Sequence, residues 1–368
     1  MDFTHDLKTP PSYTLPKVIL SPHLSHVLSN LLRPFLLARF SAGLTATTVV
    51  LVGLVIGWRV LRYFKIGRTS EGQLALERRA ELVATLVEVA LAATILGLLL
   101  SLVAADRMTS SIRGAMCAWG VLDASPWGFR SLGISVLAAL GCTLFIVIHR
   151  LDLRLHKPTL TRAKFAALFA VAPLVLADFV AVTAYTLDLD LRVTASCCST
   201  GLDRAVAMAG ADGGGPREIA VLVFVTSTLL AIAIAWLGRT RPSKRKALTL
   251  ASVSFIASLS ALPSIVWWVA PHVYETPTHL CPFCLFHPDA FGIGWALFPA
   301  WFAATALGLS SGLVGALERP SGEPHTVRHM QAQLSWATAI AWTWVLFVSL
   351  APVVRWSFVS GGASLFGT

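Results

Sequence analysis

Residues 82–105 read LVATLVEVALAATILGLLLSLVAA, with Glu88 as the single charged side chain. A helix rises about 1.5 Å per residue and the hydrocarbon layer is about 30 Å thick, so about 20 apolar residues in a row can cross it. The stretch lacks the two-residue alternation of a membrane barrel strand. In lipid every backbone N–H and C=O needs a partner within the segment, which leaves a helix. Seven more runs share this character, near 43–61, 129–149, 164–187, 218–238, 247–269, 291–317 and 334–356. The expected fold is all-α, a polytopic membrane bundle of about eight spanning helices.

Composition agrees. Of 368 residues, 55% are hydrophobic and 13% charged, against about 25% charged in a soluble domain. Too little volume lies behind the surface of a soluble fold to hide so much apolar side chain. A soluble enzyme, a disordered chain and a nucleic-acid-binding module are excluded, and the expected partner is the lipid bilayer. The first 42 residues do not read as a secretory signal, because Asp2, Asp6, Pro10, Pro11 and Pro16 stand where a basic segment would. Within residues 17–40, Leu20, Leu24, Val27, Leu28, Leu31 and Phe35 recur at helical spacing, which predicts an amphipathic helix in the membrane interface, kinked at Pro34.

The Lys/Arg distribution sets the orientation. Eighteen of the 29 cations fall in the loops after the first, third, fifth and seventh runs. Those loops are expected in the cytoplasm and both termini outside, in the cytoplasmic (inner) membrane. Trp58, Trp236 and Trp336 then lie near inner ends, and Trp119, Trp127, Trp267, Trp268, Trp295 and Trp356 near outer ends, as interfacial anchors do.

With that orientation Cys117, Cys197, Cys198, Cys281 and Cys284 all face the extracytoplasmic side, and Cys142 alone sits inside a run. Thiols gathered at an oxidising face suit disulfide or metal chemistry. The sharpest motif is His279-Leu280-Cys281-Pro282-Phe283-Cys284-Leu285-Phe286-His287, placed by the pattern at the start of the seventh helix. A helix N-terminus there would stabilise the reactive thiolate, and Pro282 suits a first turn. Cys197-Cys198 is a second constellation. Adjacent cysteines close a strained, exchangeable ring.

The CxxC at the outer end of a membrane helix, over about residues 279–300, resembles the DsbB and vitamin K epoxide reductase families of membrane disulfide oxidoreductases. That resemblance implies a bundle built on four helices, Cys281 and Cys284 as the redox pair, and a quinone as electron acceptor. The arginine that follows the pair in DsbB-type proteins is absent, and His287 is the nearest polar residue.

Spaced 164 residues apart, Cys117 matches Cys281, Trp119 matches Phe283, Val121 matches Leu285, Leu122 matches Phe286, Trp127 matches Phe291 and Gly128 matches Gly292. Gly120 stands where Cys284 would be. The pattern suggests two fused four-helix halves in one orientation. It divides the chain into an extracytoplasmic tail with an interfacial helix (1–42), a first half (43–187), a loop with the cysteine pair (188–217) and a second half with the CxxC (218–368).

Three uses of the cysteines stay open. In the first, Cys197 and Cys198 relay electrons between an extracytoplasmic thiol protein and Cys281 and Cys284, making the chain a thiol-disulfide oxidoreductase. In the second, the sulfurs hold or carry a soft metal such as Cu, Hg or Zn, with His279, Cys281, Cys284 and His287 as one ligand set. In the third, the chain is a non-catalytic subunit braced by disulfides. Glu88 and Asp178 lie inside runs, where a charge is expensive. They are expected to face the interior and to serve a proton path or a cofactor pocket. No phosphate-binding loop, dinucleotide fingerprint, serine-hydrolase elbow or zinc-protease motif occurs.

Overall fold

The computed structural model describes residues 33–65, 70–191 and 215–366. Among them eight helices are long and apolar enough to cross a membrane, and no strand occurs. They are α1 (Pro34–Tyr63), α2 (Glu71–Arg107), α3 (Gly128–Asp152), α4 (Thr161–Asp188), α5 (Gly215–Thr240), α6 (Lys244–Tyr274), α7 (Ile293–Ala316) and α8 (Pro324–Val359). Each apolar run lies within its helix apart from three residues at the ends of the seventh, Phe291, Gly292 and Leu317. Several helices run on into polar sequence, since helical hydrogen bonding does not stop at the edge of the hydrocarbon.

One boundary differs in kind. Residues 34–40, expected in an interfacial helix kinked at Pro34, form the first turns of α1. Proline at the first helical position has no N–H to lose and a φ already suited to the helix, so Pro34 starts this helix. The rest of the expected interfacial helix lies outside the described residues.

The helices pack in two rings of four. In the first, α1 contacts α2 and α4, and α3 contacts α2 and α4. In the second, α5 contacts α6 and α8, and α7 contacts α6 and α8. Val50, Leu91, Phe145, Phe165 and Leu168 fill the first ring, and Leu250, Ile265, Leu297, Trp342 and Val345 the second. Lipid tails are as apolar as leucine, so close packing rather than hydrophobic transfer holds such helices together. The α6–α7 contact uses small residues for this. A Cβ added at Gly308, Gly312 or Gly315 would fall 2.3, 2.5 and 2.7 Å from Ser254, Ala251 and Ala247.

The rings meet where α3 packs against α7. At the cation-rich end Val147, Leu151 and Leu160 meet Val314, Val327 and Met330. Beside them Thr159 Oγ1 donates to the Ser321 carbonyl at 2.9 Å, and the His156 backbone N–H donates to Glu323 at 2.8 Å. At the opposite, cysteine end, the α2–α3 connection meets the α6–α7 connection.

Candidate functional site

Two short segments build the cysteine end. Cys117 is extended, at φ −153° and ψ 176°, and precedes the short helix Ala118–Asp123. Cys281 is also extended, at φ −77° and ψ 114°, and precedes the 3-10 turn Pro282–Phe286, which carries Cys284. Each segment lies tightly on the helix that follows it. A Cβ at Gly128 would sit 1.9 Å from the Leu122 carbonyl oxygen, and one at Gly294 2.9 Å from the Leu285 carbonyl carbon. Only glycine leaves room there.

The CPFC segment therefore does not open α7 as the sequence pattern implied. Phe291 and Gly292 adopt left-handed φ of 55° and 61°, and α7 begins at Ile293. The helix dipole does not act directly on Cys281. What the turn does is bring sulfurs together. Cys117 Sγ and Cys281 Sγ are 3.5 Å apart, and the sulfurs of Cys117, Cys281 and Cys284 all lie within 4.8 Å of one another. The three residues are 1%, 2% and 7% exposed.

Aromatic side chains enclose the cluster. Trp119 packs on Phe129 with centroids 4.6 Å apart, and both lie 6.1 Å from Phe283. The Tyr274 hydroxyl donates to the Cys284 carbonyl at 2.8 Å, which ties the turn to the end of α6, and the same ring stacks on His279 at 3.8 Å. Beside Pro282 and Phe283, an apolar cavity of about 730 Å³ opens between the two rings. Leu102, Phe129, Trp267 and Phe286 are among its lining residues, and among the described residues no ionised side chain lines it.

No family model, curated protein or solved structure matches this chain.

Of the residues singled out in the sequence, Cys281 and Cys284 lie in the cluster. The third sulfur in it is that of Cys117, and neither His279 nor His287 belongs to the same group. Cys197 and Cys198 lie outside the described residues. Asp178 and Glu88 sit elsewhere, each facing a cation. Arg39, within the stretch 1–42 that the sequence pattern assigned to the tail, is 2% exposed and reaches both carboxylate oxygens of Asp178 at 2.7 and 2.6 Å. Ser135 also donates to Asp178, and Arg39 Nε donates to Ser101 at 3.0 Å. Glu88 accepts from Arg150 Nε at 2.5 Å, with His149 Nε2 3.5 Å away, and Lys164 pairs with Asp152 at 2.7 Å. Neither Asp178 nor Glu88 lines the apolar cavity.

In the sequence Cys117 was matched to Cys281 only through the 164-residue spacing. Cys117 meets Cys281 and Trp119 meets Phe283, each pair separated by that interval. The short helix starting at Ala118 and the turn starting at Pro282 are likewise 164 residues apart.

Proposed function

We propose that this multi-pass chain carries out thiol-disulfide exchange at the extracytoplasmic face of the cytoplasmic membrane and passes two electrons to a membrane-soluble acceptor of the quinone class. The observation that carries this reading is the sulfur cluster, with Cys281 3.5 Å from Cys117 and grouped with Cys284, beside a cavity that opens within the spanning region. The excess of cations in the alternate loops supports the orientation.

In this reading a thiolate of the partner dithiol attacks Cys281 of a Cys281–Cys284 disulfide. A mixed disulfide forms and Cys284 leaves as a thiolate that takes up a proton. The partner's second thiolate then attacks the partner sulfur of that mixed disulfide, forming the partner's disulfide and releasing Cys281. The chain now holds two thiols, and reoxidising them removes two electrons and two protons. A quinone held in the cavity would supply the sink for both, and Phe283, Phe286 and Leu102 would contact its apolar tail. Because the sulfurs are buried, the first exchange partner in this reading belongs to the same chain, Cys197 or Cys198, which in turn meets a thiol protein outside.

Trapping tests it. Cys284→Ser, which removes the resolving sulfur, is expected to accumulate a mixed disulfide at Cys281. That species vanishes on reduction and is absent from Cys281→Ser. No mixed disulfide, in protein whose CPFC pair stays fully oxidised under mild reductant, would make the cysteines structural and overturn the proposal.

A further inference from the structure

The sulfur cluster has a second chemistry available when all three sulfurs are reduced. A metal bound equally by three sulfurs at about 2.3 Å holds them about 4.0 Å apart, the side of the triangle that bond length dictates. The cluster brackets this spacing, with one sulfur pair at 3.5 Å and all three within 4.8 Å. Shifts of less than an ångström therefore complete a trigonal site. The donor set is purely soft, for no histidine or carboxylate among the described residues joins the group. Zinc takes four ligands in its structural sites, whereas a set of three thiolates suits a soft monovalent ion such as Cu(I). The sulfurs are also buried among Trp119, Tyr274 and Phe283, which keeps water from competing for the metal.

We propose that reduced Cys117, Cys281 and Cys284 form a three-sulfur site for a single Cu(I) ion, shared between the two helix rings. Binding displaces thiol protons and transfers no electrons. The site goes beyond the exchange reading and does not depend on it, since it requires only that the sulfurs be reduced. It also has a regulatory consequence. A Cys281–Cys284 disulfide leaves one sulfur for the metal, so Cu(I) and the oxidised pair exclude each other. Cu(I) therefore holds the reduced form and blocks exchange.

The experiment uses the full chain in detergent, reduced with a phosphine under anaerobic conditions and titrated with Cu(I) against a chromogenic Cu(I) chelator. One Cu(I) per chain is expected, with three sulfur neighbours at about 2.3 Å in X-ray absorption. Cys117→Ser, Cys281→Ser and Cys284→Ser should each weaken binding at least about tenfold. Cys142→Ser, His279→Ala, His287→Ala and the double variant Cys197→Ser/Cys198→Ser should bind as the wild type does. Failure to compete with the chelator, nitrogen ligation, two sulfur neighbours, or equal loss in a histidine or Cys197/Cys198 variant overturns the site. The wild-type absorption spectrum decides the matter even if a cysteine variant fails to fold. Trapped mixed disulfide without Cu(I) binding sinks this inference alone, and Cu(I) binding without any mixed disulfide sinks the exchange reading alone.

Discussion

Arg39 and Asp178 show what a single buried pair demands of this fold. An arginine or aspartate in a spanning helix costs up to about 2.5–3.5 kcal/mol on insertion scales, the figure reached at the helix centre, and both residues here are almost fully buried. Room for the guanidinium comes from Gly97, where a Cβ would lie 3.1 Å from the Arg39 group. Removing one partner leaves the other charge stranded, at a cost of about 3–5 kcal/mol. Asp178→Leu is therefore expected to lower stability by about that amount in detergent unfolding, and Arg39→Met/Asp178→Leu to recover most of it. Equal instability of the single and double variants would show that the loss does not come from a stranded Arg39 charge. The sequence exposed Asp178 as an anomaly but not its partner, since Arg39 lay in a stretch that read as tail. Cys117 was half-legible in the same way. The repeat spacing marked it, but only the packing of the two rings sets it against Cys281.

At the scale of the element, the spanning helices were legible because lipid leaves the backbone one solution over each apolar run. Their ends were not, because polar residues extend a helix at no comparable penalty. Pro34 and the CPFC segment are the two instructive cases. Proline starts a helix as readily as it bends one, and the left-handed Phe291–Gly292 step separates the cysteines from α7. The α6–α7 contact gives the sharpest test at this scale. With Ser254 Oγ 2.3 Å from a Cβ at Gly308, Gly308→Leu should lower stability by about 1–3 kcal/mol or more, the range for overpacked cores. Gly308→Ala should cost less than Gly308→Leu. A neutral Gly308→Leu in a thermal or denaturant series would mean that the two helices do not approach as described.

For the whole molecule, the contact between the rings is expected to depend on pH at the cation-rich end. The fully exposed His156 ring meets Glu323 at 3.0 Å. Its hydrogen bond to Glu323 raises the His156 pKa above the ordinary 6.5. The bond from His156 lowers the Glu323 pKa below the ordinary 4.5. The histidine contribution is complete below pH 6.5 and fades as pH rises through the raised value. The glutamate contribution is complete above pH 4.5 and fades as pH falls through the lowered value. The pair therefore stabilises most between about pH 4.5 and 6.5. His156→Ala is expected to lower the thermal midpoint slightly in that window and not at pH 9, and a deficit that persists at pH 9 would assign the loss to something other than charge. The sequence suggested two halves through six aligned positions, yet nothing in it indicated that α3 and α7 would form the junction. Periodicity reports which residues a helix buries, not which neighbour covers them.

The Arg39–Asp178 pair also constrains how the chain is made. The two residues are 139 positions apart, and ribosomes add about 5–20 residues per second. Asp178 therefore emerges about 7 to 28 s after Arg39. Through that interval α1 has no counterion. Arg39 lies only five residues from the helix start, close enough for its long side chain to keep the guanidinium at the headgroups. Until α4 is synthesised, Arg39 is expected to stay at the headgroups, so that closure of the Arg39–Asp178 pair is a late event of biogenesis.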